Sequence, residues 1–223
     1  MPAPLPRSFY ERPTLTIARD LLGRVLARRT DGGVVLRGRI VEAEAYVGEE
    51  DRACHARAGR TPRTDVMYGP PGFAYVYLTY GMHHMLNVVT EAEGRPAAVL
   101  LRAVEPLEGL EWMARARRNG GATADRSDGG REALPRPHQL ASGPGKLCQA
   151  FGLDLQHNRT DLLGEELWIE EGARVARARI ATSARIGCET AAAPWDLIPW
   201  RFYLVDSRFV TPGRAAAPMR KSG

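Results

Sequence analysis

The sequence predicts an α+β fold, a single compact domain of mixed helices and strands on a mainly antiparallel, curved sheet. Short apolar or alternating runs, bounded by glycine, proline and aspartate, outnumber the segments with helical periodicity. Neither an internal repeat nor a linker divides the 223 residues, a length that one domain can fold around one core. We therefore expect residues 1–223 to form one domain.

The first elements are a short helix and a β-hairpin. Thr14 suits the N-cap of a helix over residues 15–22, and Gly23 suits its C-terminal end. A strand, the turn at residues 31–33 and a longer strand follow, with the sequences RVLARRT, DGG and VVLRGRIVEAEAY.

The longer strand carries charged groups on an apolar face. Because side chains alternate along a strand, Glu42, Glu44 and Tyr46 continue the face of Leu36 and Ile40. A wholly buried face would not accommodate carboxylates, so we expect this end of the strand to open on a cleft.

The middle of the chain alternates between loops and strands. Residues 48–72 are rich in glycine, proline and charge and predict a long loop, a length that is more often functional than accidental. A second hairpin has its tip near residues 80–82, and a further apolar strand is interrupted by Arg102. These three strands have the sequences FAYVYLT, HMLNVVT and AAVLLRAV.

Helices and further strands complete the prediction. Pro106 is expected to open a helix that ends near residue 118, and Pro144 to open a short one that ends at Gly152. The segments WIEE, RVARARIAT and RFYLVD predict strands. Residues 119–138 are polar and rich in glycine, alanine and proline, so we expect a flexible loop there. Flexible ends are expected at about residues 1–7 and 212–223.

Composition and charge indicate a protein of the cytoplasm with a polyanionic partner. The net charge is +5 and the pI near 9.4, although arginine supplies nearly all of it and lysine occurs only at Lys146 and Lys221. Three scattered cysteines suit a reducing compartment. No apolar run approaches the roughly 20 residues that cross a bilayer, and the N-terminal residues lack a signal core. We therefore expect no membrane association.

Four features converge on possible chemistry. They are Glu44 with Tyr46, the loop that contains His55, the tyrosine-rich strand at residues 75–80, and Arg102 within an apolar strand. Each has an ordinary structural explanation, such as a solvated carboxylate, a core tyrosine or an ion-pair partner. From residue types and spacing alone, the sequence supports an aromatic-lined acidic pocket in a basic protein.

The residues and the order of several motifs are a more specific indication of function. The segments VEAEAY, GEEDRACHARAGRTPRT, AYVYLTYGMHHMLNVV, VLLRAVEPLEGLE and SGPGKLCQAFGL resemble the alkyladenine (3-methyladenine) DNA glycosylase family, and the resemblance runs from Phe9 to Asp206. It implies a monofunctional enzyme of base excision repair that flips alkylated or deaminated purines out of duplex DNA and hydrolyses the N-glycosidic bond. It also implies one compact domain without a helix-hairpin-helix.

The resemblance implies roles for particular residues. Glu44 would be the general base and Arg102 would position it, and the residues of the base pocket would be Tyr46, His55, Tyr77 and Asn87. Tyr80 at the hairpin tip would insert into DNA with the help of Met82. Arg60 and Lys146 would lie near the DNA backbone. The resemblance implies double-stranded DNA with damaged purines as partner, a monomer, and neither a cofactor nor a metal.

Two other interpretations remain open at this point. Glu42, Glu44, Asp51 and His55 could form a metal-dependent hydrolase or nuclease site, although their spacing matches no recognised ligand set. The chain could also be a non-catalytic module that binds damaged DNA. A lyase reaction needs an amine nucleophile, and the few candidates here (Lys146, Lys221 and the amino terminus) favour attack by water instead.

Overall fold

The computed structural model describes residues 3–118 and 135–211. In these ranges the strands are β1 Val25–Arg29, β2 Val35–Val47, β3 Ala74–Thr79, β4 His83–Val89, β5 Ala97–Glu108, β6 Leu167–Glu170, β7 Ile180–Ser183 and β8 Arg201–Leu204. The helices are α1 Arg7–Tyr10, α2 Thr14–Asp20, α3 Leu110–Arg118, α4 Pro137–Leu140 and α5 Pro144–Phe151.

One antiparallel sheet organises the molecule. Its strand order is β3-β4-β5-β2-β1-β6, while β8 pairs with both β2 and β7. Every pairing between these strands is antiparallel. The predicted α+β fold with a mainly antiparallel, curved sheet is confirmed.

Strand β2 is the centre of the sheet because it has three neighbours. Its first residues pair with β1, β5 runs beside most of its length, and β8 pairs with residues 42–44. Side chains at 42–44 therefore lie where three strands meet, far from any sheet edge. Polar groups at such a place must find partners within the protein.

The main core lies between the sheet and the helices. Helix α2 packs on β2 and β5, and helix α5 packs on β4 and β5. Helix α5 begins at Pro144 and stops before Gly152, its C-cap with a φ of 61°, as the sequence predicted. Its buried side chains, among them Leu147 and Phe151, join a core in which most residues are fully shielded from solvent.

Residues 48–72 form a packed segment. Two 3-10 turns, His55–Ala58 and Asp65–Tyr68, interrupt the predicted loop. A second apolar cluster that includes Cys54, Met67 and Tyr75 fastens the segment to β3. This packing fixes the backbone that carries His55.

Strand β5 has an irregular register at Arg102. Glu42 pairs with Ala103 and Ala43 with Leu101, so Arg102 has no partner in β2. Its carbonyl oxygen accepts instead from the amide of Gly143, at 3.1 Å. Bulges of this kind redirect a side chain, and this one directs the Arg102 guanidinium to the carboxylates of β2.

The prediction that Pro106 opens a helix is wrong. β5 continues to Glu108, with Pro106 opposite Gly38, and the helix begins at Leu110. A proline is tolerated here because the register shifts at this point of the ladder, so no regular hydrogen bond is lost. Gly109, with a φ of 77°, then turns the chain into α3.

Other local predictions also need correction. Thr14 is the first residue of α2 and not its N-cap, because its hydroxyl donates to the Glu91 carboxylate at 2.5 Å. Of the strand predicted at 174–182, only residues 180–182 are extended, as the start of β7; Arg177–Arg179 form a 3-10 turn.

Part of the segment expected to be flexible at residues 1–7 contacts the sheet. Leu5 is buried and its amide donates to the carbonyl of Ile169 of β6 at 2.7 Å. Likewise, α4 occupies residues 137–140 at the end of the loop expected at 119–138. The predictions for residues 1–2, 119–134 and 212–223 lie outside the described residues. None of the helices described here is long and apolar enough to span a membrane.

Leu5→Ala tests whether the N-terminal segment contributes to the core. We expect the free energy of unfolding to fall by about 2–5 kcal/mol, as for other buried leucines, in urea titrations followed by circular dichroism. Leu155→Ala is the matched control, because Leu155 is 52% exposed. A change as small as that of the control would show that residues 3–7 do not support the fold.

Candidate active site

A cavity of about 340 Å³ opens beside the β3–β4 hairpin. Strands β3, β4 and β5, the segment around His55, the start of α5 and residues 186–188 all contribute to its wall. Its lining residues include Tyr46, His55, Tyr75, Tyr77, Tyr80, Asn87, Arg102 and Cys188. The cavity is therefore predominantly aromatic on one side and polar at its base.

Three rings form the aromatic wall. Tyr75 and Tyr77 lie two residues apart on β3 with ring centroids 5.2 Å apart. His55 meets Tyr77 edge-on, with the centroids at 4.6 Å. Asn87 donates from its side-chain amide to the Tyr75 carbonyl at 3.0 Å, which anchors its own position in the wall.

His55 is held as a neutral ring. Its Nδ1 lies 2.9 Å from the Tyr75 hydroxyl, and its Nε2 lies 3.4 Å from the guanidinium of Arg63. Burial, with added repulsion from Arg63 and Arg57, lowers the pKa of His55 to about 4. At neutral pH the imidazole is a flat uncharged surface.

Tyr46 connects the cavity to a carboxylate behind it. Its hydroxyl donates to Glu44 Oε2 at 2.9 Å and lies 3.7 Å from the Cys188 sulfur. Burial, and then the charge of Glu44, raise the pKa of Tyr46 well above its usual value. The hydroxyl therefore stays protonated and remains a donor to Glu44.

Glu44 is fully buried at the base of the cavity. Oε2 also accepts from Arg102 Nη1 at 3.0 Å, while Oε1 accepts from the amide of Ile186 at 2.7 Å. All three of its donors (Tyr46, Arg102 and Ile186) belong to the cavity lining. The carboxylate thus lies directly behind that wall. Tyr46, on the same face of β2, is half-buried and lines the cavity, so this end of the strand opens on a cleft as the sequence predicted.

Arginines compensate both carboxylates of β2. Arg102 Nε donates to Glu42 Oε1 at 2.9 Å, so this guanidinium bridges Glu42 and Glu44. Arg201 from β8 donates to the same Glu42 oxygen at 2.7 Å. Burial opposes ionisation of Arg102, but Glu44 and Glu42 outweigh it and raise its pKa. The network holds two negative and two positive charges.

A second buried ion pair lies beside this network. Arg185 makes two hydrogen bonds to Asp51, at 2.5 and 2.8 Å, and both side chains are fully buried. The guanidinium lies 4.7 Å from the centroid of the Tyr46 ring and 5.2 Å from that of Trp200. The pair therefore contacts the cavity wall from behind.

Backbone strain marks the tip of the β3–β4 hairpin. Tyr80 and Gly81 have φ values of 51° and 68°, and Met82 donates to the Thr79 carbonyl at 3.1 Å. Two positive φ angles are typical of a type I′ turn, in which asparagine and glycine are favoured. Tyr80 accepts the strained position with 88% of its surface exposed, at the mouth of the cavity.

The structure brings most of the predicted site together. Six residues meet at the cavity or its base: Glu44, Tyr46, His55, Tyr77, Asn87 and Arg102. Tyr80 borders the mouth, and Met82 is 66% exposed beside it. Lys146 is exposed on α5, two residues after Pro144 of the lining. Arg60 lies apart from the cavity lining in an exposed ion pair with Asp65.

Sequence reasoning missed several contributors. Tyr75 shares the strand face of Tyr77, so the two-residue spacing was a usable signal. Arg185, Ile186 and Cys188 lie more than 130 residues beyond Glu44 and carry no local motif that points to it. Only the pairing of β7 with β8, and of β8 with β2, brings that segment to the site.

The carboxylates considered as metal ligands face arginines. Glu42 and Glu44 are engaged by Arg102, and Asp51 by Arg185. Within residues 3–118 and 135–211, no three histidine, cysteine, aspartate or glutamate side chains are placed to hold a metal ion. The arrangement is a set of ion-paired carboxylates.

Glycosylases hold a base flipped out of the duplex in a snug pocket, stacked between aromatic or apolar side chains, and this cavity has an aromatic wall. The model of the family described as methylpurine-DNA glycosylase (MPG) matches residues 8–208. The chain belongs to that family, and it is a DNA glycosylase.

The chain aligns with similar proteins over nearly their whole length. The chain is 44% identical to a protein of Chlorobaculum parvum over 213 residues, which cover 96% of this chain and 93% of the relative. It is 46% identical to one of Myxococcus xanthus, covering 94% of each, and 48% identical to one of Methanocella arvoryzae, covering 89% and 91%. All three carry the name "Putative 3-methyladenine DNA glycosylase".

The neutrality of His55 predicts a pH dependence of stability. Its pKa in the folded protein, about 4, lies below the usual 6.5. Between these values the unfolded chain binds the proton more readily, so acidification favours unfolding. We expect the Tm of wild type to fall more steeply from pH 7 to pH 4 than that of His55→Gln. Parallel curves by scanning calorimetry would contradict the buried neutral ring.

Proposed function

We propose that this DNA glycosylase extrudes alkylated or deaminated purines from duplex DNA and hydrolyses the N-glycosidic bond with a water activated by Glu44. The substrate class is that of 3-methyladenine, 7-methylguanine, hypoxanthine and ethenoadenine. The observation that carries the proposal is the Glu44 carboxylate, held by Arg102 and Tyr46 directly behind the aromatic cavity. The name that the relatives carry agrees with this substrate class.

Binding an extruded base has an energetic cost that the cavity can offset. Unpairing and unstacking cost a few kcal/mol, and stacking on aromatic side chains returns about 1–3 kcal/mol per base. Tyr46 and Tyr77 offer rings at the cavity wall, and His55 adds a neutral one. Methylated purines that carry a positive charge gain further from cation–π attraction to the tyrosines.

The hydrogen bonds of Glu44 support its role as the base. A carboxylate has about four lone-pair sites; among the described residues, Oε2 accepts from two donors and Oε1 from the Ile186 amide. In the proposed reaction, a water from the cavity binds to Oε1. Its oxygen attacks the sugar C1′, its proton passes to Glu44, and the electron pair of the broken bond leaves with the base.

The preference for charged lesions follows from the same groups. A cationic purine leaves as a neutral base and needs no proton from the protein. A neutral purine needs a proton donor, and His55 is uncharged at neutral pH because burial lowers its pKa. We therefore expect 3-methyladenine and 7-methylguanine to be released faster than hypoxanthine.

Tyr80 supplies the wedge in this proposal. A large exposed ring at the tip of a hairpin, next to the cavity mouth, can fill the gap that an extruded base leaves. The strained backbone at Tyr80 agrees with a functional role, since strain of about 1–3 kcal/mol persists mainly at functional sites.

Release of free base is the test of the whole proposal. Protein incubated with methylated duplex DNA should liberate modified purines, detected by chromatography, and leave an intact strand with an abasic site. Activity should persist in excess chelator, and borohydride should trap no covalent adduct. Binding without release would indicate the non-catalytic module, and a trapped adduct would overturn attack by water.

Glu44→Gln tests the base. We expect single-turnover release to fall at least about 100-fold, the lower range for a general base, while lesion-DNA affinity stays within a few-fold. Glu42→Gln is the matched control, because it removes an equally buried carboxylate that pairs with the same arginine. The single-turnover release rate of Glu42→Gln should remain at least ten times higher than that of Glu44→Gln. Equal losses in the two variants would assign the effect to charge balance and not to proton transfer.

Tyr80→Ala tests the wedge. We expect productive extrusion and lesion-DNA affinity to fall about tenfold or more, because a stacked aromatic contributes about 1–3 kcal/mol. The Tm should not fall, since the ring is almost fully exposed. Tyr80→Asn should weaken DNA binding similarly and raise the Tm, because asparagine tolerates this backbone conformation. A lower Tm with unchanged affinity would make Tyr80 a packing residue.

A further inference from the structure

Within the proposed hydrolysis we infer that the buried pair Asp51–Arg185 is a positioning device, which holds the Ile186 amide against Glu44 Oε1 and the Tyr46 ring against the base of the cavity. The inference rests on the proposed function, in which Glu44 is the base. Neither side chain is accessible to DNA, because both are fully buried.

Asp51 accepts hydrogen bonds from the backbone of two segments on one side of the site. Besides the two bonds from Arg185, its carboxylate accepts from the amides of Val47 at 3.2 Å and Ala53 at 3.0 Å. Its own carbonyl accepts from the amide of Cys54 at 2.8 Å. Asp51 therefore joins the end of β2, which carries Tyr46, to the segment that carries His55.

Arg185 donates hydrogen bonds to the backbone on the other side of the site. Its guanidinium donates to the Ala45 carbonyl at 2.9 Å and to the Trp195 carbonyl at 3.2 Å, in addition to Asp51. It thereby holds its own segment to β2 at the residue between Glu44 and Tyr46. The flat cation also contacts the Tyr46 and Trp200 rings, which fixes the ring orientation.

The residue after Arg185 makes the contact that matters for the reaction. The Ile186 amide donates to Glu44 Oε1 at 2.7 Å, and this is the oxygen left for water in the proposed reaction. Two residues further on, the Cys188 sulfur lies 3.7 Å from the Tyr46 hydroxyl. A shift of this segment would move the amide away from Oε1 and change the orientation of the carboxylate.

The expected effect is on the chemical step and its pH dependence. The other groups placed to act on the Glu44 carboxylate come from β2 (Tyr46 and Glu42), β3 (Tyr77), β5 (Arg102) and the 185–188 segment (Cys188). Loss of the Ile186 bond leaves these in place but removes one donor to the ionised form. A carboxylate that loses a donor is protonated more easily, so the acidic limb of the pH–rate profile should move to higher pH.

Arg185→Lys is the variant of choice because it keeps the charge beside Asp51. A lysine ammonium cannot reproduce the paired bonds of the guanidinium or its flat contact with Tyr46. We expect single-turnover base release to fall at least about tenfold, with lesion-DNA affinity within a few-fold and the acidic limb shifted upward. Arg28→Lys is the matched control, a buried arginine that donates to the carbonyls of Phe151 and Gly152 outside the cavity lining.

A double variant separates positioning from folding. Asp51→Asn with Arg185→Met removes both charges together, because an uncompensated buried charge would destabilise the protein by itself. We expect a folded protein, judged by its Tm, with the same slow release and shifted profile. A wild-type rate and profile in either folded Arg185 variant would overturn the inference, as would losses in Arg185→Lys no larger than in Arg28→Lys.

Two parallel measurements distinguish failure of the positioning role of Asp51–Arg185 from failure of the proposed function. If wild type releases no base, or Glu44→Gln releases it at the wild-type rate, the proposed function is overturned. If wild type is active and Glu44→Gln is not, a normal Arg185→Lys overturns the positioning role alone.

Discussion

The structure depends on one constraint, the burial of two carboxylates at the centre of a sheet. Glu42 and Glu44 lie where β2 has neighbours on both sides, and neither has any contact with solvent. A buried carboxylate left unpaired costs several kcal/mol, so the neighbouring strands must supply cations. Arg102 from β5 and Arg201 from β8 meet that requirement. The bulge that frees Arg102 from the ladder, and the pairing of β8 with β2, both serve this network.

Under the proposed function, the catalytic arrangement uses the same hydrogen bonds that stabilise the two buried carboxylates. Glu42 accepts from two arginines and from the Thr211 amide, and it thereby anchors Arg102. It does not belong to the cavity lining. The donors to Glu44 all line the cavity, and within the described residues its Oε1 accepts one bond, from Ile186. Two chemically identical side chains, two residues apart, therefore differ in role because of their partners. Stability and reactivity are set by the same hydrogen bonds here, which is why Glu42→Gln is the informative comparison.

Local sequence patterns predicted the elements better than their environments. The alternating strands, the β3–β4 hairpin and α5 with its terminal glycine follow from short-range rules and were confirmed. Pro106 was misplaced because a register shift, invisible in sequence, makes proline acceptable in β5. Burial of Glu44 was missed because the segment that covers it, with the Ile186 amide on Oε1, is 142 residues away in the chain. The Asp51–Arg185 pair spans 134 residues, a separation at which only the assembled sheet identifies partners.

Charge balance around the cavity bears on how lesions are distinguished. Three buried carboxylates, at 42, 44 and 51, are matched by three buried arginines, at 102, 185 and 201. His55 is neutral, and the raised pKa of Tyr46 keeps its hydroxyl protonated. The base of the cavity thus has no net charge with which to attract a cationic purine. Under the proposed function, discrimination must come from the faces of the tyrosine rings, which favour cations at short range. Selectivity should therefore respond to substitution of Tyr77 by leucine more than to changes in ionic strength, because ring contacts are screened far less than surface charges.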